Sequence, residues 1–465
     1  MRAVNRVRSP ARAAAAEQER TAALVTELVK QLSRMRGAAM KIGQMLSMVD
    51  FDGLPEDQQD ELQQKLASLR DGIPPVSFTR LEKLLRKELG GPLSQVFSDF
   101  DERAFAAASI GQVHRAKTLD GAEVVVKIQY PGVAEAVETD LRNASLLVPL
   151  VKRLAPGLDA KALHAEMRER IGEELDYELE AQNQRRIERL LRGHPFMMVP
   201  HVHTELSTRR VLVSEYVAGE RFETVRRAAE PERDRYGETV FRFFFGLLYR
   251  DGIALGDPHP GNYLLTPGGA VCFLDFGLLR DIDQTRIAAE RRIALAVRAG
   301  APEDLKSALV AGGYLPATRA GAVEAGFALT LMRRATSWYA VPRFHRFAGS
   351  DGEHDRGRGR ERADADASDR AGIRNQVNQF TLPPDALLVR RMHGVVAIVL
   401  HNLRAGADWG AIAAEYLHGE PPATALGTAE AEFFARRGSG VRPAVPAARS
   451  PGRRASGSGT ARSGP

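Results

Sequence analysis

Two short motifs constrain this chain more than any other feature of it. Asp257-Pro258-His259-Pro260-Gly261-Asn262 precedes a short strand pair expected near Tyr263–Leu265 and Val271–Leu274, and Leu274-Asp275-Phe276-Gly277 lies where the second, apolar strand ends. Between them the motifs offer two carboxylates and an amide, at Asp257, Asn262 and Asp275. A plainer alternative makes Asp257 a turn-former before proline and Asp275 a cap on its strand. A chain of 465 residues, 44% hydrophobic and 27% charged, has the length for two or three domains with substantial cores, and a small stapled module is excluded.

Cys272 is the single cysteine, so no internal disulfide can form and a reducing interior is the default expectation. The net charge of +6 invites a nucleic-acid reading. However, Arg436, Arg437, Arg442, Arg449, Arg453, Arg454 and Arg462 stand in an acid-free tail, and without those seven charges residues 1–435 carry −1. No nucleic-acid partner is expected. The best apolar runs, Phe243–Tyr249 and Gly394–Leu400, are far shorter than the roughly 18 residues of a membrane span, so none is expected. Arg2, Arg6, Arg8 and Arg12 give the N-terminus a faint likeness to a transit peptide, but arginine and alanine richness throughout is the simpler explanation. The expected location is cytoplasmic, with peripheral membrane contact left open.

The first 20 residues read as a flexible N-terminus, and residues 21–100 as a helical extension. Within it an apolar stripe through Val25, Leu28, Leu32, Met35, Ala39, Ile42, Leu46 and Val49 is followed by helices at Glu56–Leu69 and Ser77–Leu89, each ended by glycine and proline. Phe105–Ala116 and the valine-rich Ala122–Tyr130 predict two strands around a Leu119-Asp120-Gly121 turn. Helices over Ala134–Leu154 and Ala160–Leu191 and a strand over Arg209–Tyr216 complete a sheet-bearing unit, residues 101–219. Residues 220–345 are mainly helical, 346–375 a flexible acidic and basic insertion, 376–435 further helices, and 436–465 a disordered basic tail. Strands first and helices afterwards predict an α+β protein with a sheet-bearing lobe and a helical lobe.

In phosphoryl transfer a carboxylate orients the acceptor, while an amide oxygen and a second carboxylate hold the metal ions that bridge the phosphates. Asp257, Asn262 and Asp275 supply those groups, and the separation of five between Asp257 and Asn262 matches the catalytic-loop spacing of protein kinases. Lys127, inside Val124-Val125-Val126-Lys127-Ile128, has apolar neighbours on both sides, so it is either an edge-strand lysine reaching water or a buried ammonium that needs phosphate and glutamate partners. The helix at Ala160–Leu191 carries acids that could serve. Glu174 and Glu180, six residues apart, fall about 120° apart around one helix and can face different partners. His259, between two prolines, reads as a structural hydrogen bonder, and His201, His203 and Cys272 show no metal-ligand spacing.

With these residues in place the chain resembles the UbiB/AarF family of atypical protein-kinase-like proteins, from about Arg34 to Arg280 and more weakly to about residue 345. The resemblance is carried by Lys41-Ile42-Gly43-Gln44, the alanine-rich Ala106-Ala107-Ala108-Ser109-Ile110-Gly111-Gln112, Glu174-Leu175-Asp176-Tyr177 with Glu180, and the Asp257 to Asn262 loop. It implies a two-lobed protein-kinase-like fold with an added N-terminal helical extension and extra helices. It further implies that ATP or ADP binds with Mg2+, with Asp257 as catalytic base, Lys127 as phosphate clamp paired with Glu180, and Asn262 and Asp275 as metal ligands. Ala106, Ala107, Ala108 and Ser109 would form the nucleotide loop, Ser109 and Gln112 would contact phosphate or order that loop, and backbone groups of Glu215 and Val217 would meet adenine. Lys41, Gly43, Gln44, Glu174 and Asp176 would form a regulatory set, Lys41 pairing with Glu174 so that the extension obstructs a protein substrate. Alanines in place of glycines stiffen the loop, in keeping with the family's restrained phosphotransfer. One departure stands out: Leu255-Gly256 precedes Asp257 where the family usually has His or Phe and then Ala.

The function so implied is that of an atypical kinase or ATPase supporting isoprenoid-lipid or quinone biosynthesis, with an isoprenoid lipid or quinone precursor as possible partner. A nucleotide-gated binding module without turnover and an aminoglycoside- or choline-type small-molecule phosphotransferase remain alternatives.

Overall fold

The computed structural model describes residues 27, 76–108, 110–144, 168, 171–256, 259–347, 372 and 375–438. Lys41, Gly43, Gln44, Ser109 and Asp257 therefore lie outside the described residues, as do nearly all of the expected extension through residue 75 and the tail beyond Gly438.

The first lobe opens with helix α1 (Phe78–Glu88), whose Leu81, Leu84 and Leu85 recur at three and four residues and make one buried stripe. That stripe packs on Val124, Val126, Ile128, Val211 and Val213 of the sheet. The strands are β1 (Phe97–Phe100), β2 (Ala106–Ala107), β3 (Gly111–Thr118), β4 (Glu123–Gln129) and, after the excursion of β5 (Met197–Met198) into the other lobe, β6 (Val211–Glu215). Their order is β1-β3-β4-β6, all antiparallel, with β2 also paired to β3. The boundary expected at residue 100 is thus displaced: α1 and β1 belong to this lobe. The helix expected at Ser77–Leu89 is present as α1, with its apolar face on the sheet. The strand expected over Phe105–Ala116 is two strands, β2 and β3, joined by a tight turn in which Ala108 N–H donates to the Gly111 carbonyl (2.8 Å). Among the described residues, α2 (Val133–Ala144) and α3 (Tyr177–Leu191) follow β4.

Gly111 cannot carry a side chain. A Cβ there would lie 2.2 Å from the Ile128 carbonyl oxygen, in the strand paired with it, and 3.0 Å from the Tyr177 hydroxyl. Gly111→Ala is expected to force the turn away from β4 and destabilise the protein by about 1–3 kcal/mol, measurable as a lowered midpoint in chemical denaturation against wild type.

The second lobe is built around α4 (Glu230–Tyr249), buried along most of its length. Strand β7 (Glu220–Arg221) enters a small sheet of order β5-β10-β9-β7, with β9 (Tyr263–Leu265) and β10 (Val271–Phe273). A separate pair, β8 (Ile253–Leu255) with β11 (Leu279–Asp281), brackets that hairpin. Helices α5 (Gln284–Ala299), α6 (Pro302–Ala311), α7 (Ala325–Ala340), α8 (Pro384–Leu403), α9 (Trp409–His418) and α10 (Ala425–Gly438) complete the lobe, and β12 (His345–Arg346) pairs with β13 (Gly406–Ala407). Arg242 is fully buried in α4, where its guanidinium donates to Glu238 (2.7 Å), Glu415 (2.8 Å), Thr424 (2.9 Å), Glu430 (3.2 Å) and the Tyr416 hydroxyl (3.2 Å). A single cation so joins α4 to α9 and α10.

Three expectations are corrected here. Arg346, expected as the first residue of the insertion, belongs to β12: His345–Arg346 are paired with β13 and Arg346 is held by Glu230 and Asp234 (2.8 Å each). Residues 436–438, expected in the basic tail, belong to α10, which runs to Gly438, and Arg437 donates to the Arg189 and Arg192 carbonyls at the end of α3 (2.7 and 3.2 Å). Finally, one helix among the described residues, Asp385–Leu403 within α8, is long and apolar enough by composition to cross a membrane. Half of that window is buried within the protein, with Met392, Val396, Val399, Leu400 and Leu403 in the core.

Candidate active site

Lys127 lies on β4, which has β3 on one side and β6 on the other, so the edge-strand reading fails. The alternation of a strand sends Val124, Val126 and Ile128 to the α1 core and Lys127 to the opposite face. There α3 meets it. The single helix expected over Ala160–Leu191 is interrupted at Leu175 and Asp176, and the reason is local. Asp176 caps α3 by accepting from Leu179 N–H (3.1 Å), Gln129 Nε2 donates to the Leu175 carbonyl (2.9 Å), and Tyr177 N–H donates to the Arg209 carbonyl (3.1 Å). The 120° separation of Glu174 and Glu180 assumed one axis and does not survive the interruption. Asp176 is occupied as a helix cap and lies 3.7 Å from Arg209.

The capped helix places Glu180 in its first turn, where the helix dipole favours a carboxylate. Lys127 Nζ donates to both carboxylate oxygens at 2.8 Å and stands 4.7 Å from the centre of the Tyr177 ring. Burial alone would lower the Lys127 pKa, but Glu180, with Tyr177 and Asp275 behind it, outweighs burial and holds it above the usual lysine range. Burial pushes the Glu180 carboxyl up, and Asp275 and Glu174 add to that, while Lys127 draws it back.

Asn262 and Asp275 meet because of hairpin register. Tyr263 of β9 pairs with Phe273 of β10, and Leu274 N–H donates to the Asn262 carbonyl (3.0 Å), which sets the residues just beyond the strand ends side by side. Asn262 Nδ2 donates to Asp275 Oδ2 at 3.3 Å, while Asp275 Oδ1 accepts from Gly277 N–H at 3.0 Å. A Cβ on Gly277 would lie 3.5 Å from Asp275 Oδ1 and 3.9 Å from Glu180 Oε2, so both carboxylates lie beside this glycine, and Asp275 is close enough to raise the Lys127 pKa. Lys127, Glu180, Asp275 and Asn262 therefore form one contiguous group between the lobes. Two oxygen donors, Asp275 and the Asn262 amide, suit a hard divalent cation that completes its shell with phosphate oxygens and water. Among the described residues no cluster of three or more His, Cys, Asp or Glu could hold a metal unaided.

The other expected residues are placed as follows. Ala106 and Ala107 form β2, and Ala108 begins the turn after it. Gln112 does not order that loop; its buried amide exchanges hydrogen bonds with the Val76 backbone (3.0 and 3.3 Å) and pairs with His114 (2.9 Å). Glu215 accepts from His201 N–H (3.2 Å), and Val217 is half-buried in the connection that leaves β6. Glu174 is half-buried, near enough to Tyr177 and Glu180 to bear on both. His259 Nδ1 accepts from Gly261 N–H (3.0 Å) and caps the turn leading to Asn262, the structural part expected of it. Asn183 was missed: its amide donates to the Phe276 carbonyl (3.0 Å), tying α3 to the Asp275 segment. The signal was its position three residues after Glu180, on the same helix face.

Comparison with known proteins agrees with this architecture. The family profile of the ABC1 atypical kinase-like domain matches residues 68–306, just over half of the chain. "Atypical kinase COQ8, mitochondrial" of Saccharomyces cerevisiae is 33% identical over 270 residues, covering 58% of this chain and 53% of that protein. "Atypical kinase COQ8B, mitochondrial" of Rattus norvegicus is 34% identical over 261 residues, covering 56% and 49%. The chain thus spans about half the length of these curated relatives. Among solved structures, Rv3197 of Mycobacterium tuberculosis, in complex with erythromycin, superposes with a TM-score of 0.61 at 28% identity, over 88% of this chain and 98% of that one. The chain belongs to the ABC1 family of atypical kinase-like proteins, the UbiB/AarF group, with its two-lobed kinase-like fold.

Proposed function

We propose that this protein is a UbiB-type atypical kinase or ATPase that binds ATP or ADP with Mg2+ between its lobes, with restrained phosphotransfer in support of isoprenoid-lipid or quinone metabolism. The observation that carries this reading is the contiguity of Lys127, Glu180, Asp275 and Asn262 across the lobe boundary.

In this reading Lys127, held as an ammonium by Glu180, neutralises phosphate oxygens, and Asp275 and Asn262 hold the metal. A divalent cation held there by Asp275 and Asn262 would supply positive charge to offset the negative charge that builds on the phosphate oxygens. Asp257 accepts the proton of the acceptor hydroxyl or water. Backbone groups of Glu215 and Val217 face adenine, and the turn after Ala106 and Ala107, with Ser109, covers the phosphates. Lys41, Gly43 and Gln44 restrain access by way of Glu174. Restraint has support in the turn itself: the Ala108 N–H, which a glycine loop would leave for phosphate, is already donated to Gly111. The same observation favours a second reading, nucleotide-gated binding without turnover. The complex of Rv3197 with erythromycin keeps a small-molecule acceptor as the third.

Magnesium-dependent ADP release by the purified chain, with and without anionic liposomes and a quinone-like phenol, is the test. Turnover raised by the lipid arm and lowered roughly 100-fold or more in Asp275→Asn is expected. Nucleotide binding without ADP release favours the binding module, and stimulation by soluble hydroxyl compounds alone favours the small-molecule phosphotransferase.

A further inference from the structure

Gly256 immediately precedes Asp257, and Leu278 immediately follows the Asp275-Phe276-Gly277 triplet. Gly256 is not required for backbone freedom, since its φ lies outside the left-handed region. It is required for space. A Cβ at position 256 would lie 2.0 Å from Leu278 Cδ2, 2.6 Å from Cγ and 3.2 Å from Cβ. Rotating the end of the leucine does not relieve an overlap that reaches Cγ, and Leu278 is only 5% exposed, with buried Leu255, Phe276 and Leu279 close by in sequence or across the strand pair. The backbones are joined at the same point. Gly256 N–H donates to the Leu278 carbonyl at 2.8 Å, extending the β8–β11 ladder in which Leu255 faces Leu279.

We infer that Leu278 is a positioning residue, filling the volume vacated by the missing side chain of Gly256 and so fixing the backbone at Gly256, the residue before Asp257, against the segment that carries Asp275. The size match is between two positions: a glycine at 256 accepts a leucine at 278, whereas an alanine at 256 demands a smaller residue there. Its kinetic consequence rests on the phosphoryl-transfer reading, because the distance from Asp257 to the Asp275 segment governs the alignment of acceptor and phosphate. The size match itself does not depend on that reading.

The full chain is compared with Gly256→Ala, Leu278→Ala and the double variant. Gly256→Ala is expected to lower kcat roughly 10- to 100-fold with little change in the KM for ATP. It is also expected to speed hydrogen–deuterium exchange in the peptides spanning both 253–256 and 275–281. Adding Leu278→Ala is expected to restore most of kcat and to slow exchange in both peptides towards wild type. Rescue would not appear if the two positions were independent, since the cost of truncating Leu278 would then add to that of the methyl introduced at position 256. Wild-type exchange in Gly256→Ala, or a double variant no better than Gly256→Ala, overturns the inference. If Gly256→Ala alone does not fold, recovery of folded protein in the double variant supports the size match, and continued failure counts against it. If the wild-type chain shows no ADP release, the phosphoryl-transfer reading fails, and the exchange comparison still decides the role of Leu278.

Discussion

Lys127→Met is expected to reduce ADP release roughly 100- to 1,000-fold, the scale on which removal of one charge-stabilising donor acts in a preorganised site. It is also expected to change how stability depends on pH. In the wild-type protein the Lys127 pKa is raised on folding, so its contribution to stability is complete below the ordinary lysine value and is lost only as the pH climbs through the higher folded value. Methionine removes that ammonium and strands Glu180, which is buried with Asp275 close by. The Glu180 carboxyl, already raised by burial, rises further without the cation that draws it back. An acid with a raised folded pKa costs stability as the pH climbs from its unfolded value, about 4.5, towards the folded one. The gap between wild type and variant should therefore widen from pH 5 towards pH 8 in denaturation midpoints. Adding Glu180→Gln to Lys127→Met should narrow the gap without restoring turnover, which separates the electrostatic cost from the catalytic one.

Arg242→Met is expected to cost about 3–5 kcal/mol, the scale for removing one member of a fully buried ionic group. The guanidinium faces Glu238, Glu415 and Glu430, and the first of these also accepts from Thr424 while the last accepts from Tyr416. Arg250, 2.8 Å from Glu430, leaves one of the three carboxylates partly compensated. Glu238 and Glu415 would be left without a cation among the contacts described above. Since the network joins α4 to α9 and α10, the loss should show as early exchange or proteolysis of the α9–α10 segment, ahead of the sheet-bearing lobe. Equal protection of that segment in variant and wild type would mean that apolar packing alone holds it.

The parts of the site that were legible in sequence are those in which neighbouring residues act together. Asn262 and Asp275 are brought side by side by one hairpin, so the motif spacing carried their geometry. Lys127 was legible as a lysine in an apolar run, but only the pairing of β4 with both β3 and β6 decides between a buried and an edge position. Glu180 was chosen by resemblance. Among the acids of the long helical run, nothing marked Asp176 as the cap of a new helix, because the groups that fix the interruption, the Gln129 amide and the Arg209 carbonyl, come from partners distant in sequence. The same limit explains α1 and β1. An amphipathic helix ended by glycine and proline reads alike whether an extension or a sheet covers its face. The apolarity of α8 likewise records burial in the helical lobe, and neither its composition nor its length distinguishes that from a membrane segment. Gly256 was visible as a departure from the family pattern, but the leucine that fills its space stands 22 residues later and is joined to it only by the pairing of β8 and β11.

Calorimetric titration of ATP into wild type, Lys127→Met and Asp275→Asn, each with and without Mg2+, tests most directly whether one triphosphate is held by these side chains together. Wild type should bind ATP at least about tenfold more tightly when Mg2+ is present, one such step being about 1.4 kcal/mol. Asp275→Asn should lose that enhancement, and Lys127→Met should bind more weakly under both conditions. Equal affinities in all three proteins, unaffected by Mg2+, would contradict a shared nucleotide site at Lys127, Glu180, Asn262 and Asp275.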